Sequence, residues 1–194
     1  MFANHHERED EQPEPKIWVA SLSDYNNGVL HGAWLDANRD PSEVHGDIQT
    51  MLATSPTTTR TGEPAEEWAI HNYEGFGQFG LGEYDSVELV CRIARGIAEH
   101  GLAFAAYAEA MDGDEDALGA FTEAYLGHYR SVEAYAEQLV DDLGYQLLID
   151  AAVPENLRPY VRIDTAALAR DMELAGDIHA LSADDGGVWL FDAR

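Results

Sequence analysis

The patterned part of the chain begins at "IWVASL" (17–22), where apolar, β-branched and aromatic residues follow one another as in a half-buried strand. "VLHGAWLDA" (29–37) has the same character. Between them "SDYNNG" ends in Asn27-Gly28, a strong signal for a tight hairpin turn. Asp40-Pro41-Ser42-Glu43 then sets out a helix start: a capping residue, proline at the first helical position and a glutamate placed for a capping box. The spacing predicts a short helix from about 41 to 53, a loop over "TSPTTTRTGEP", and a third strand of the same small sheet over "EEWAIHNYE" (66–74).

Beyond the glycine-rich segment that follows, the period changes. Asp85-Ser86-Val87-Glu88 reads as a second capping box, and Val87, Val90, Cys91, Ala94, Ile97 and Ala98 recur at helical spacing. Helical patterns continue over 102–111, 116–126 and 132–143, with Gly101, Gly113, Gly127 and Gly144 as stops. The last part pairs a helix over "DTAALARDMEL" (164–174), capped by Asp164 or Thr165, with two strand candidates, "DIHAL" and "GVWLF", around the turn "SADDGG". No internal repeat is present. The fold class is therefore α+β. Residues 1–15 form an acidic tail expected to be disordered, closed by Pro13 and Pro15; 16–74 form an antiparallel sheet with a short helix; 75–115 form a central helical unit; and 116–194 form a mixed C-terminal unit.

Composition adds one outlying number. With 194 residues and 21.4 kDa the chain suffices for one ordinary domain or a few small ones, and a hydrophobic content of 45% supports a buried core. No apolar run reaches the roughly 20 residues that span a bilayer, and the first residues lack the regions of a signal peptide, so the expectation is a soluble, cytoplasmic protein with no membrane contact. One cysteine, Cys91, excludes an internal disulfide framework and a multi-cysteine zinc site. The charge stands apart: 37 acids against 11 bases, a formal net of -26. Residues 61–155 alone hold 20 acids and 3 bases, or -17 of that total.

Two motifs suggest small ligands and then fail on their surroundings. Gly75, Gly77 and Gly80 spell the G-x-G-x-x-G of a dinucleotide loop, but Glu74, Glu83 and Asp85 flank them, and no Lys or Arg lies between Arg60 and Arg92. Those carboxylates repel a phosphate. Asp112, Asp114, Asp116 and Glu123 occupy positions 1, 3, 5 and 12 of a calcium loop, yet position 6, which needs glycine for the sharp turn, is Ala117. His31 and His71 fall in strand patterns and read as hydrogen-bonded structural residues; Cys91 lies on an apolar helix face and reads as core. No nucleophile elbow and no zinc-binding histidine spacing occur. The chain is read as a non-enzyme with no cofactor and no metal.

What remains is the arrangement of the acids. Glu133, Glu137 and Asp141 recur every four residues on one helix face, while Val132, Tyr135, Ala136, Leu139 and Leu143 gather on another. Like charges at that spacing cost about 0.2–0.5 kcal/mol per pair; only Arg130 can pair with the stripe, and the chain has a single lysine, Lys16. A surface built for solubility would intersperse bases. Carboxylates on a rigid scaffold can instead stand in for the phosphates of a duplex and fill the groove of a DNA-binding enzyme.

Four blocks, "IWVASLSDYNNGVLHGAWLDA" (17–37), "EEWAIHNYEGF" (66–76), "SVEAYAEQLVDDLG" (131–144) and "PENLRPYVRIDTAALARDMEL" (154–174), resemble in this order the ArdA family of antirestriction proteins. The resemblance covers essentially everything after the tail. It implies an elongated three-part homodimer that mimics bent B-form DNA and occupies the DNA site of type I restriction-modification enzymes, methyltransferase core and full complex alike, without binding nucleic acid itself. Such proteins serve mobile genetic elements that evade host defence. On this reading Glu66, Glu67, Asp85, Glu88, Glu99, Glu109, Asp112, Asp114, Glu115, Asp116, Glu123, Glu133, Glu137, Asp141 and Asp142 stand in for phosphates, none of them catalytic. Block 131–144 resembles the family's antirestriction motif, which implies that Tyr135 and Leu139 meet a second subunit. The chain departs from the family pattern by its acidic N-terminal extension and a longer polar loop at 54–65. Rival readings are a salt-adapted surface with no partner, an acidic mimic or binding protein aimed at another DNA-binding protein, and an acidic calcium-binding module.

Overall fold

The computed structural model describes residues 13–193; the expected tail lies, but for its last three residues, outside them. The chain packs as two compact units, one ending at Leu118 and the other starting at Gly119. The fold is α+β, with one three-stranded antiparallel sheet in each unit.

In the first unit, β1 (Lys16–Ser21) leads through the short helix α1 (Leu22–Asn26) to β2 (Gly32–Asp36); α2 (Pro41–Ala53), α3 (Pro56–Thr61), β3 (Trp68–Glu74), α4 (Val87–His100) and α5 (Leu102–Ala110) follow. The sheet order is β2-β1-β3. Ile17, Val19, Leu35 and Ile70 from the sheet meet Val44, Ile48 and Leu52 of α2 and the apolar stripe of α4 in the buried core. Each local signal has a visible cause. Asp40 caps α2 by accepting from the Ser42 amide at 2.9 Å, with Pro41 at the first position, and Ser86 caps α4 by accepting from the Leu89 amide at 3.2 Å. Glu88 sits one residue short of the capping-box position, so the second box does not close. α5 is buried from Ala103 to Ala108, as expected of a helix apolar on every side.

Three expectations are corrected here. "SDYNNG" is not a two-residue hairpin. The Ser21 hydroxyl accepts from the Asp24 amide at 3.3 Å, α1 forms, and Gly28 closes it at φ +74°. The segment after α2 is not a plain loop: Ser55 caps α3 and Gly62 ends it in the left-handed conformation. Both helices exist because of a tertiary partner, since the buried Asp24 carboxylate accepts from the Thr57 amide at 2.8 Å. The helix expected over 116–126 breaks instead into α6 (Glu115–Gly119) and α7 (Phe121–Ala124), and β4 (Tyr125–Tyr129) starts within the predicted span. Phe121 and Tyr125 stack at 5.2 Å and both pack on Phe191, which rewards the strand over a continued helix. Gly127 is therefore a strand residue at φ +129° and not a helix stop.

The second unit continues with α8 (Val132–Asp142), α9 (Tyr145–Ala152), a 3-10 turn (Arg158–Tyr160), α10 (Thr165–Ala175), β5 (Ile178–Ser182) and β6 (Val188–Asp192). Its sheet order is β4-β6-β5, with the expected hairpin joining the last two strands. Asp164 caps α10 by accepting from the Ala167 amide at 2.9 Å. α8 packs against α10 through Ala136, Val140 and Ala169. The sequence pattern predicts nothing at α9; the helix is a finding of the structure.

Candidate functional site

The acids singled out from the sequence fall on helix ends, turns and one helix face. Glu66 and Glu67 precede β3; Asp85 and Glu88 flank the start of α4 and Glu99 lies in its last turn; Glu109 is near the end of α5; Asp112, Asp114, Glu115, Asp116 and Glu123 line the turns from α5 to α7; Glu133, Glu137, Asp141 and Asp142 belong to α8. All are exposed except Asp85, half-buried because its carboxylate turns back to accept from the Gly82 amide at 2.8 Å. The structure brings Asp112, Asp114, Glu115 and Asp116 together in one turn. It places Glu133, Glu137 and Asp141 on the solvent face of α8, opposite the buried Ala136 and Val140.

Counter-charge is scarce. Among the described residues four Lys or Arg side chains pair with a carboxylate: Lys16 with Glu14 at 2.7 Å, Arg39 with Asp47 at 2.6 Å, Arg92 with Glu115 at 2.6 Å and Arg130 with Glu137 at 3.0 Å. No described cation lies within ion-pair distance of Glu66, Glu67, Asp112, Asp116, Glu123, Glu133 or Asp141. Most of the acidic surface therefore faces water uncompensated.

Both motifs use some of their donors and acceptors internally. Gly80 donates its amide to Glu109 Oε2 at 3.0 Å and Gly82 donates to Asp85, so the backbone that would cradle a pyrophosphate already holds the chain's own carboxylates. In the other motif Asp114 Oδ1 accepts from the Ala117 amide at 2.9 Å and Glu115 pairs with Arg92. No group of three or more His, Cys, Asp or Glu side chains that could hold a metal ion gathers among the described residues. His31 Nε2 lies 2.8 Å from the Met51 carbonyl, a structural bond from the start of β2 to α2. Burial pushes the Cys91 thiol up to about 11, which leaves it protonated and inert at neutral pH.

Tyr135 and Leu139 are half-buried on α8, and the Tyr135 ring meets Tyr129 of the same chain edge-on at 5.1 Å. A more exposed apolar surface lies just beyond them. α9 has no buried residue although it carries Tyr145, Leu147, Leu148 and Ile149; Leu147 is 75% and Leu148 65% exposed. Gln146 ties the helix to the segment after the 3-10 turn, donating to the Val161 carbonyl and accepting from the Ile163 amide, both at 3.2 Å. The exposed Leu157 precedes that turn and the exposed Tyr160 ends it. Sequence reasoning passed over this surface, and the signal was the apolar run "YQLLI" between a glycine and a proline-rich turn.

These features define an acidic α+β protein that presents carboxylates on its surface. The chain belongs to the ArdA family: the family model described as antirestriction protein (ArdA) matches residues 17–185. No curated protein matches it. Members of the family are inhibitors and not enzymes, and membership implies antirestriction function and interaction with type I restriction enzymes.

Proposed function

We propose that the protein inhibits type I restriction-modification enzymes by presenting the charge and shape of B-form DNA to their DNA-binding groove, as a cytoplasmic homodimer that does not itself bind nucleic acid. The observation that carries this reading is the exposed, uncompensated set of carboxylates in both units. Residues 13–118 hold 19 acids against 5 bases and residues 119–193 hold 14 against 4. Charge density sets the requirement. Carboxylates at every fourth helical residue give one charge per about 6 Å of axis, whereas one strand of duplex gives one per roughly 3.4 Å. A single stripe such as that on α8 supplies about half of what a strand presents, so the acids of neighbouring turns and helices have to contribute as well. No helix among the described residues is long and apolar enough to cross a membrane.

The test is displacement of a labelled duplex from a type I methyltransferase core, with the inhibitor's own affinity measured at two salt concentrations. Stoichiometric displacement, with affinity falling as salt rises, is the expected result. A folded protein that leaves the duplex bound at low salt would overturn the reading.

A further inference from the structure

Three features coincide on the open side of β3. Its pairing with β1 slips between Trp18, opposite Asn72, and Val19, opposite Ile70, so His71 is the extra residue of a β-bulge. Bulges re-aim side chains and recur beside binding sites; here the His71 ring meets the Tyr25 ring edge-on at 4.8 Å. The loop after β3 folds back, with the Ile70 amide donating to the Glu83 carbonyl at 2.9 Å, and sets Glu83 Oε1 3.8 Å from His71 Nε2. Tyr25, His71, Asn72, Tyr73 and Glu83 then line an open groove of about 500 Å³ over Ile70.

The lining selects a charge. Tyr25 is 57% and Tyr73 37% exposed, so each offers ring surface that its own chain leaves uncovered. Aromatic faces attract cations, and a neighbouring carboxylate adds to that attraction. No Lys or Arg is part of the lining. Glu83 lies within a wider negative region: the Tyr84 phenol is held above its ordinary pKa chiefly by the Glu83 carboxylate beside it, with Glu67 adding to the effect.

We infer that this groove receives an arginine side chain from the DNA-binding surface of the restriction enzyme, an assignment that rests on the function proposed above. Arginine fits better than lysine because its flat, weakly hydrated guanidinium stacks on tyrosine and forks onto a carboxylate, whereas a compact ammonium keeps its water. The exposed acids elsewhere supply a diffuse charge; the groove supplies a directional contact.

Two measurements test this. In the displacement assay Glu83→Gln and Tyr73→Leu each weaken inhibition about tenfold, as expected for a charge-assisted or cation–π contact partly shielded from water, while Glu133→Gln, equal in charge change to Glu83→Gln, costs about twofold or less. Tyr25→Leu, at a still more exposed ring, behaves like Tyr73→Leu, and circular dichroism shows all four variants folded. In the second arm arginine ethyl ester is titrated into the free protein and followed by NMR. Saturable shifts at the Tyr25, His71 and Tyr73 rings, larger than with lysine ethyl ester, support the assignment. If the wild type displaces DNA but the groove variants match Glu133→Gln, the groove assignment is overturned and the mimicry stands. If the wild type displaces nothing, the antirestriction reading is overturned, and the arginine titration alone decides whether the groove is a cation site.

Discussion

Asp24 is the residue whose chemistry departs furthest from its surroundings. It is fully buried, and burial by itself raises a carboxyl pKa; the hydrogen bond from the Thr57 amide and the nearby Ser21, Ser55 and Thr57 hydroxyls outweigh that and hold the group well below the usual carboxylate range. By strict geometry only the Thr57 amide bond, at 2.8 Å, is well formed, and Oδ2 and the Thr57 hydroxyl lack an aligned partner among the described residues. The hydroxyls therefore solvate the charge from close by without saturating it. The folded pKa lies below the unfolded value of about 3.9, so the stabilisation from Asp24 is fully present above that value and is lost as pH falls through the folded one. Asp24→Asn should lower stability at pH 7 by about 1–3 kcal/mol, the cost of a buried acceptor network that loses its charge. Acidification also relieves the repulsion among the surface acids, which masks the effect in the wild type alone. The informative quantity is the difference between wild type and variant in urea unfolding at several pH values. It should shrink below about pH 4; a difference independent of pH down to 2 would show that the carboxyl pKa is the same folded and unfolded, so that the fold does not favour its charged form.

Elements whose signals were local were legible in the sequence, and those that depend on a distant partner were not. α2, α4, α8 and α10 begin at Asp40, Ser86, Ser131 and Asp164, side chains that cap the helices they precede, and the final hairpin follows its turn residues. α1 and α3 depend on Asp24 reaching Thr57, 33 residues away, and β4 depends on Phe191 at the other end of its unit. The candidate site divides in the same way. Exposure of the acids follows from their polarity, so their positions could be read from the sequence. The groove at Tyr25 and Tyr73 could not, since it needs a bulge and a returning loop. α9 is the opposite case, an element whose apolar side chains its own chain leaves exposed, and exposed apolar patches of this kind mark interfaces. If it carries the proposed self-association, Leu147→Glu and Leu148→Glu, both at exposed positions, should leave the fold intact and convert the dimer to monomer in sedimentation equilibrium. A wild-type monomer, or variants that remain dimeric, would move the interface away from this helix.

Spread over both units, the charge makes inhibition a sum of many small terms. Single Asp→Asn or Glu→Gln changes on the general acidic surface should each cost little, and loss of all inhibition from one of them would mean that a specific contact carries it. The salt response separates this protein from the nucleic acid it imitates. Duplex DNA releases condensed counterions when a protein displaces them, with a slope of log affinity against log salt of about -0.9 per neutralised phosphate, against about -0.7 for the less densely charged single strand. A stripe with one carboxylate per about 6 Å is sparser than either. It holds fewer ions to release, so its slope per contact should be shallower still. For one methyltransferase core, the affinity of this protein should therefore fall less steeply than that of a duplex covering the same groove when salt rises from about 50 to 200 mM, the range over which DNA complexes weaken by orders of magnitude. The inhibitor would then gain on DNA as ionic strength rises. Calorimetric titration of both ligands across that range decides the point, and a slope equal to or steeper than that of DNA would mean that the acids of neighbouring turns and helices bring the bound surface up to the charge density of a duplex.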